Sequence, residues 1–168
     1  MASKHITNVH ALTGEPREVS KGTKFHAKLL PIAPALGAKK LGYNLTEVPP
    51  GKKAFPYHFH HVNEELFFIL SGVGEVRMPD GTHALKEGDI LCCPPGPGGA
   101  HQIVNTGKEP LRYLALSSVQ DPEVVEYPDA GKYGVVVGRV PGRPIAESQF
   151  FAYAFTKNRV DYWEGEDS

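Results

Sequence analysis

Short stretches in which apolar and polar residues alternate recur along the chain and predict β-strands. In the segment FHAKL, which begins at Phe25, every second residue is apolar. The same criterion predicts strands over 41–48, 55–61, 64–72, 100–105 and 110–118, with weaker candidates at 134–140 and 150–158. The dipeptide Asp80-Gly81 predicts the turn of a hairpin over 73–89. The polar segment 121–134 is predicted to be a loop, and no segment of useful length has helical periodicity, so the chain is expected to be all-β.

The predicted strand over 64–72 differs from the others because both of its faces are apolar. Phe67 and Ile69 share one face with Glu65, and the opposite face carries Leu66, Phe68 and Leu70. A strand with one face in water would alternate more clearly. We therefore expect the outer face to be covered by the N-terminal arm, the C-terminal tail or a second subunit, and we predict a homodimer.

Length, charge and cysteine content narrow the class of protein. The 168 residues fit one domain, and the balance of 18 basic and 19 acidic side chains gives no global attraction to nucleic acid or to anionic membranes. No apolar run approaches the ~20 residues of a membrane-spanning helix, and MASKHITNVH lacks the apolar core of a signal peptide. Cys92 and Cys93 are adjacent, which is poor geometry for a disulfide, so we expect free thiols and a cytoplasmic location.

Three histidines and one glutamate carry the candidate chemistry. His58 and His60 lie two residues apart and project from the same face of an extended chain, and Glu65 follows five residues later. Strand alternation favours Glu65 over its neighbour Glu64. His101, which follows the loop PPGPGG, can supply a third imidazole. Such a donor set suits one divalent transition metal per chain, and it does not distinguish Fe, Mn, Zn and Ni.

Other side chains are candidates for a pocket that holds a small-molecule ligand or substrate. An apolar wall could be formed by residues on the same strands, namely Phe55, Phe67, Ile69, Ile103 and Tyr113. Tyr57 and Arg77 could line a pocket for an anionic substrate, although a salt bridge or a contact at the rim explains them equally well. By alternation His61 faces away from His60 and is expected at the surface, as is His83. No residue is identified as a general base.

The spacing of these residues resembles two sequence motifs of the cupin family. The first motif corresponds to Gly51, His58, His60, Glu65 and Gly72, and the second to Gly88, Pro94, Gly96, His101 and Asn105. Four residues separate Gly96 from His101, where the family pattern has two. The resemblance covers about residues 40–118, and the ending YWEGE is similar to that of a poorly characterised group of bacterial single-domain cupins.

The resemblance implies a double-stranded β-helix, a jelly-roll barrel with a metal inside one mouth, bound by His58, His60, Glu65 and His101. We expect a single cupin domain over 1–168, with a core at 40–118, an N-terminal arm at 1–24 and a C-terminal extension at 119–168. The pair Tyr162 and Trp163 is expected to pin the tail against the barrel.

The resemblance also implies three classes of function. The favoured one is a metal-dependent enzyme that acts on a small molecule, either a dioxygenase with iron or an isomerase of a sugar or keto acid with zinc, manganese or nickel. The alternative is a binding module that holds a sugar-like molecule without turnover. A third possibility is a structural barrel stabilised by its metal.

Overall fold

The computed structural model describes residues 3–140 and 143–166. Six antiparallel strands form the larger sheet, in the order β1-β2-β3-β10-β5-β8. Their bounds are Arg17–Lys21 (β1), Phe25–Pro31 (β2), Leu41–Val48 (β3), Leu111–Ser118 (β10), Glu65–Ser71 (β5) and Ile90–Cys93 (β8). The predicted apolar segment, β5, therefore lies inside this sheet, paired with β10 on one side and with β8 on the other.

Two smaller antiparallel sheets make up the other layer. A three-stranded sheet in the order β7-β6-β9 contains Gly81–Lys86 (β7), Val73–Met78 (β6) and Gln102–Val104 (β9). A four-stranded sheet in the order β13-β12-β11-β4 contains Phe150–Phe155 (β13), Lys132–Val137 (β12), Glu123–Tyr127 (β11) and Phe59–His60 (β4). Short 3-10 turns lie at Pro97–Gly99, Pro128–Ala130 and Ile145–Glu147.

The hydrophobic core lies between the two layers. Phe67, Ile69 and Tyr113 of the large sheet are buried against Val76 and Ile103 of the three-stranded sheet. Apolar residues that alternate along these strands fill this space, as expected for facing antiparallel sheets with one wet face. The predicted all-β jelly roll is confirmed. Among the residues that the structure describes, no helix is long and apolar enough to cross a membrane.

The segment 121–134, predicted as a loop, instead contributes β11 and the start of β12. Glu123, Val125 and Tyr127 alternate along β11, and Glu123 is almost fully buried, at 3% exposure. A buried carboxylate at a core position breaks the apolar alternation from which a strand is normally predicted. The predicted strands at 134–140 and 150–158 correspond to β12 and β13.

Both ends of the chain also differ from expectation. The arm is not wholly irregular, since Arg17–Lys21 pairs with β2 along its full length. In the tail, Tyr162 and Trp163 contact each other edge to face but remain 83% and 67% exposed, so they do not pin the tail to the barrel.

The outer face of β5 is only partly covered within residues 3–140 and 143–166. Phe68 and Leu70 are half-buried, whereas Leu66 is exposed, as is Ile90 opposite Phe68 on the edge strand β8. The homodimer remains a prediction.

Candidate metal centre

Four side chains converge at one end of the space between the layers. The Nε2 atoms of His60, His101 and His58 lie 3.2, 3.3 and 3.9 Å from the same oxygen, Oε2 of Glu65. One ligand atom from each of His58, His60 and Glu65 lies within 4.8 Å of the others. These are the four residues that the sequence analysis selected, and the backbone brings all of them together.

Three different backbone elements position the four side chains. His60 lies on the short strand β4, and Glu65 opens β5 opposite Cys93 of β8. His58 and His101 form an isolated antiparallel bridge, in which the amide of each donates to the carbonyl oxygen of the other, at 3.2 and 2.9 Å. The predicted strand through the histidines is therefore shorter than expected, yet the bridge preserves the alternation that places His58 and His60 on one face.

Hydrogen bonds behind the rings orient two of the imidazoles. Nδ1 of His58 lies 2.8 Å from the carbonyl oxygen of Pro56, and Nδ1 of His101 lies 2.9 Å from that of Gly99. A carbonyl oxygen can only accept, so in both rings Nδ1 carries the proton and Nε2 presents its lone pair. Oε2 of Glu65 is buried and lacks a hydrogen-bond partner among the described residues. A cation bound by the Nε2 atoms would satisfy this oxygen, so the residues fit a divalent metal.

The lengthened loop before His101 folds back over β4. The amide of Gly96 donates to the carbonyl oxygen of His60 at 2.7 Å, and Pro97–Gly99 forms a 3-10 turn. A Cβ atom on Gly99 would overlap the carbonyl oxygen of Pro94, so only glycine fits there. The two additional residues are thus absorbed in a compact turn, and His101 is 3% exposed beside the other ligands.

Burial and neighbouring charges shift the pKa values in this cluster. Burial, with a smaller contribution from His101, lowers the pKa of His58 to about 4, which keeps that ring neutral. Burial also acts to lower the pKa of His60, but Glu123 and Glu65 outweigh it and raise the pKa to about 9. Burial would raise the pKa of Glu65, but the neighbouring His101 and His60 outweigh it and hold the pKa well below its usual range. The carboxylate is therefore ionised at neutral pH.

Glu123 is the buried group that sequence reasoning missed. Its carboxylate lies 3.4 Å from Nδ1 of His60. It also accepts from the backbone amides of Val62, Asn63 and Val124 and from the side-chain amide of Asn63. The period-two spacing of Glu123, Val125 and Tyr127 was the available signal, but it lies outside the two motifs that drew attention to the site.

A cavity of about 350 Å³ opens from the four-residue cluster. Four of the predicted pocket residues line it, namely Phe55, Phe67, Ile103 and Tyr113. Its lining also includes residues that sequence analysis did not select: Arg17, Tyr127, Arg139, Arg143 and Tyr153. Room for a small molecule therefore adjoins the candidate metal ligands.

The other three predicted pocket residues do not line this cavity. Ile69 is fully buried in the core. The Arg77 guanidinium lies 3.9 Å from the centroid of the Tyr57 ring and forms a two-bond pair with Asp129, at 2.7 and 3.0 Å. The structure thus places Arg77 in the salt bridge that the sequence analysis left as an alternative.

The remaining histidines and both cysteines lie outside the cluster. His61 pairs with Glu126 at 2.8 Å and His83 with Asp80 at 3.0 Å, both at the surface as expected. Cys92 and Cys93 are free. Cys93 is buried, whereas Cys92 is exposed and its thiol donates a hydrogen bond to the carboxylate of Glu64.

Part of the chain matches a known family model and a curated relative. The model of the family described as Cupin domain matches residues 44–117. An uncharacterised protein of Methanocaldococcus jannaschii is 35% identical over 83 residues, which are 47% of this chain and 64% of that protein. The matched stretch therefore spans less than two thirds of this relative.

Solved structures share the fold over a longer stretch. A provisionally assigned sugar phosphate isomerase of Acidithiobacillus ferrooxidans superposes with a TM-score of 0.76 at 24% identity, covering 94% of this chain and 96% of that one. A cupin-superfamily sugar phosphate isomerase of Silicibacter pomeroyi has a TM-score of 0.69 at 23% identity, covering 79% and 78%. At these identities the likeness establishes the fold.

Proposed function

This chain belongs to the cupin superfamily, with its cupin domain at residues 44–117, and we propose that it is a metal-dependent enzyme that isomerises a small sugar or keto acid. The observation that carries the proposal is the convergence of three imidazole Nε2 atoms on Oε2 of Glu65, next to a cavity of about 350 Å³. A structural site would be closed on all sides. This cluster adjoins space that a substrate can enter.

The ligands of the metal would be His58, His60, Glu65 and His101. When bound there, a divalent ion supplies Lewis acidity that polarises a substrate carbonyl. Manganese, iron, nickel and zinc all accept this mixture of imidazole and carboxylate. The orientation of the rings by the carbonyl oxygens of Pro56 and Gly99 favours rapid and specific binding, because the donors need not reorganise.

Residues around the cavity are suited to hold and orient a polar substrate. Tyr127 lies parallel to the His58 ring at 6.0 Å, and burial raises the pKa of its hydroxyl. The hydroxyl therefore stays protonated and can donate a hydrogen bond to a substrate oxygen. Phe67 and Ile103 form an apolar wall that excludes water from the reacting end. The two isomerases of the same fold add support to this class of reaction.

The proposal is tested by incubating protein loaded with each of the four metals with a panel of sugars, sugar phosphates and keto acids in deuterated water. Nuclear magnetic resonance spectra should show isomerised product, or deuterium at the carbon beside the carbonyl, with at least one metal. Glu65→Gln, which removes the ligand charge, should abolish the reaction, whereas Glu64→Gln on the exposed neighbour should not.

Two outcomes would contradict the isomerase. Oxygen uptake by the iron-loaded protein with catechols, thiols or diketones, without isomerisation of any substrate, would identify a dioxygenase instead. Tight binding of one of the sugars without product would identify a non-catalytic binding module.

A further inference from the structure

Three arginines from two distant parts of the chain meet at the cavity. Arg17 opens β1, while Arg139 and Arg143 follow β12. All three line the cavity that contains the candidate metal ligands, and they also line the smaller cavity beside it, of about 130 Å³. All three are exposed, so their guanidinium groups are accessible from solvent.

The charge of the cavity is strongly unbalanced. Its lining contains three arginines and a single carboxylate, that of Glu65, which faces the three imidazoles at the other end. The chain as a whole has a net charge of −1, so this excess of positive charge is local. Within the described ranges, no carboxylate forms an ion pair with Arg17 or Arg139. Arg143 pairs with Glu147 at 3.1 Å, but both partners are exposed, and such a pair is easily exchanged for another anion.

Two tyrosines add neutral donors to the same lining. Tyr127 and Tyr153 line the cavity with their rings 6.2 Å apart, and the positive charge of Arg139 acts on Tyr127. Guanidinium groups bind the oxygens of a phosphate in pairs, and hydroxyl groups can donate to the oxygens that remain. A carboxylate has only two oxygens and one charge, so it would use less of this arrangement.

The geometry points to a phosphate-binding subsite formed by Arg17, Arg139 and Arg143, which holds a phosphomonoester substrate while its other end reaches the metal ligands. This inference rests on the proposed function for the identity of the reacting end. The subsite itself requires only the arginines. It adds a substrate class, a phosphorylated small molecule, to the proposed isomerase.

The test is a calorimetric titration of the protein with inorganic phosphate, both as purified and after treatment with a chelator. We expect saturable binding with a dissociation constant of about 1 mM or lower in both preparations. Arg17→Ala and Arg139→Ala should each weaken binding by about tenfold, because each removes charge-assisted hydrogen bonds. Arg159→Ala, which removes the same charge from an exposed arginine outside the cavity lining, should leave binding unchanged.

Further measurements separate this inference from the proposed function. The arginine variants should bind metal as the wild type does, and titration with acetate should give weaker binding than phosphate. Three results would overturn the subsite: no saturable phosphate binding, equal loss in Arg159→Ala, or binding that occurs only in metal-loaded protein and disappears in His60→Ala. The last result would place phosphate on the metal. If the protein binds phosphate after chelator treatment but binds no metal, the proposed function is wrong and the phosphate subsite stands.

Discussion

At the scale of single residues, the candidate site depends on groups behind the ligands as much as on the ligands. His58 and His101 each donate from Nδ1 to a carbonyl oxygen of the loop that precedes them. His60 has no such carbonyl and faces Glu123, a buried carboxylate contributed by β11. His58 and His101 are therefore oriented by acceptors two residues away in sequence. His60 is oriented by an acceptor more than sixty residues away.

The role of Glu123 can be measured directly. Glu123→Gln keeps the size of the side chain and one acceptor oxygen but removes the negative charge behind His60. We expect metal affinity to fall by about 10–100-fold, as for other carboxylates that orient a ligating histidine. Competition with a chromogenic chelator would measure the affinity. Glu126→Gln, which removes a half-exposed carboxylate of the same strand, is the control, and equal affinities in both variants would contradict the role.

The shifted histidines predict how the stability of the metal-free protein depends on pH. The folded-state pKa of His60, about 9, lies above the ordinary value of 6.5. Its contribution to stability is therefore complete below pH 6.5 and is lost as the pH rises through about 9. The pKa of His58, about 4, lies below 6.5, so its contribution is complete above pH 6.5 and is lost as the pH falls towards 4.

We therefore expect the free energy of unfolding of chelator-treated protein, measured with urea, to fall between neutral pH and about pH 9. The fall should be smaller in His60→Gln and unchanged in His61→Gln, whose ring is at the surface. A wild-type stability that rises over this interval would show that His60 is not held protonated by its two carboxylates.

At the scale of elements, alternation predicted most strands of the large sheet and the last two strands of the chain, but it missed β1 and β11. The fully buried positions of β5 and β10 are apolar, and the predicted ranges of β3, β5 and β10 agree with the structure to within one or two residues. In β11 a core position next to the site is occupied by Glu123, whose buried carboxylate accepts hydrogen bonds from Val62, Asn63 and Val124 in the folded chain. A pattern of hydrophobicity cannot identify such a strand, because its polar residue is satisfied by groups distant in sequence.

The loop at Pro94–His101 can be tested by paired glycine substitutions. Gly99→Ala would force its Cβ atom against the carbonyl oxygen of Pro94, so the turn and His101 must shift. We expect a loss of about 1–3 kcal/mol in stability, measured by urea unfolding, and weaker metal binding. Gly98→Ala places its Cβ atom in open space and should be close to neutral. Similar stability for the two variants would show that the loop is not tightly packed.

At the scale of the whole molecule, the motifs were sufficient to predict the fold and the cluster of candidate ligands but not the cavity around it. The candidate ligands lie within 58–101 and have fixed spacings. The cavity also requires Arg17, Arg139 and Tyr153, which approach one another only through the pairing of β1 with β2 and of β13 with β12. Sequence alone gives no register between such distant strands. For Arg77 the sequence left a pocket and a salt bridge open, and the structure places this side chain in a pair with Asp129 outside the cavity.

Exposed apolar residues on the outer face of the large sheet support the predicted homodimer. Leu66 and Ile90 are 36% and 67% exposed on neighbouring strands, and a second subunit would remove them from water. Multi-angle light scattering should give the mass of two chains, and Ile90→Lys should shift it towards one. Val160→Lys, at an equally exposed position in the tail, is the control. A monomeric wild type at micromolar concentration would contradict the prediction.

The metal centre is tested most directly by the metal content of protein purified without a histidine tag. We predict close to one divalent transition metal per chain by mass spectrometry of the digested protein, and little metal in His60→Ala or His101→Ala. Well under one metal per chain after reloading with iron, manganese, nickel and zinc, together with no change in His101→Ala, would contradict the metal centre on which the proposed function rests.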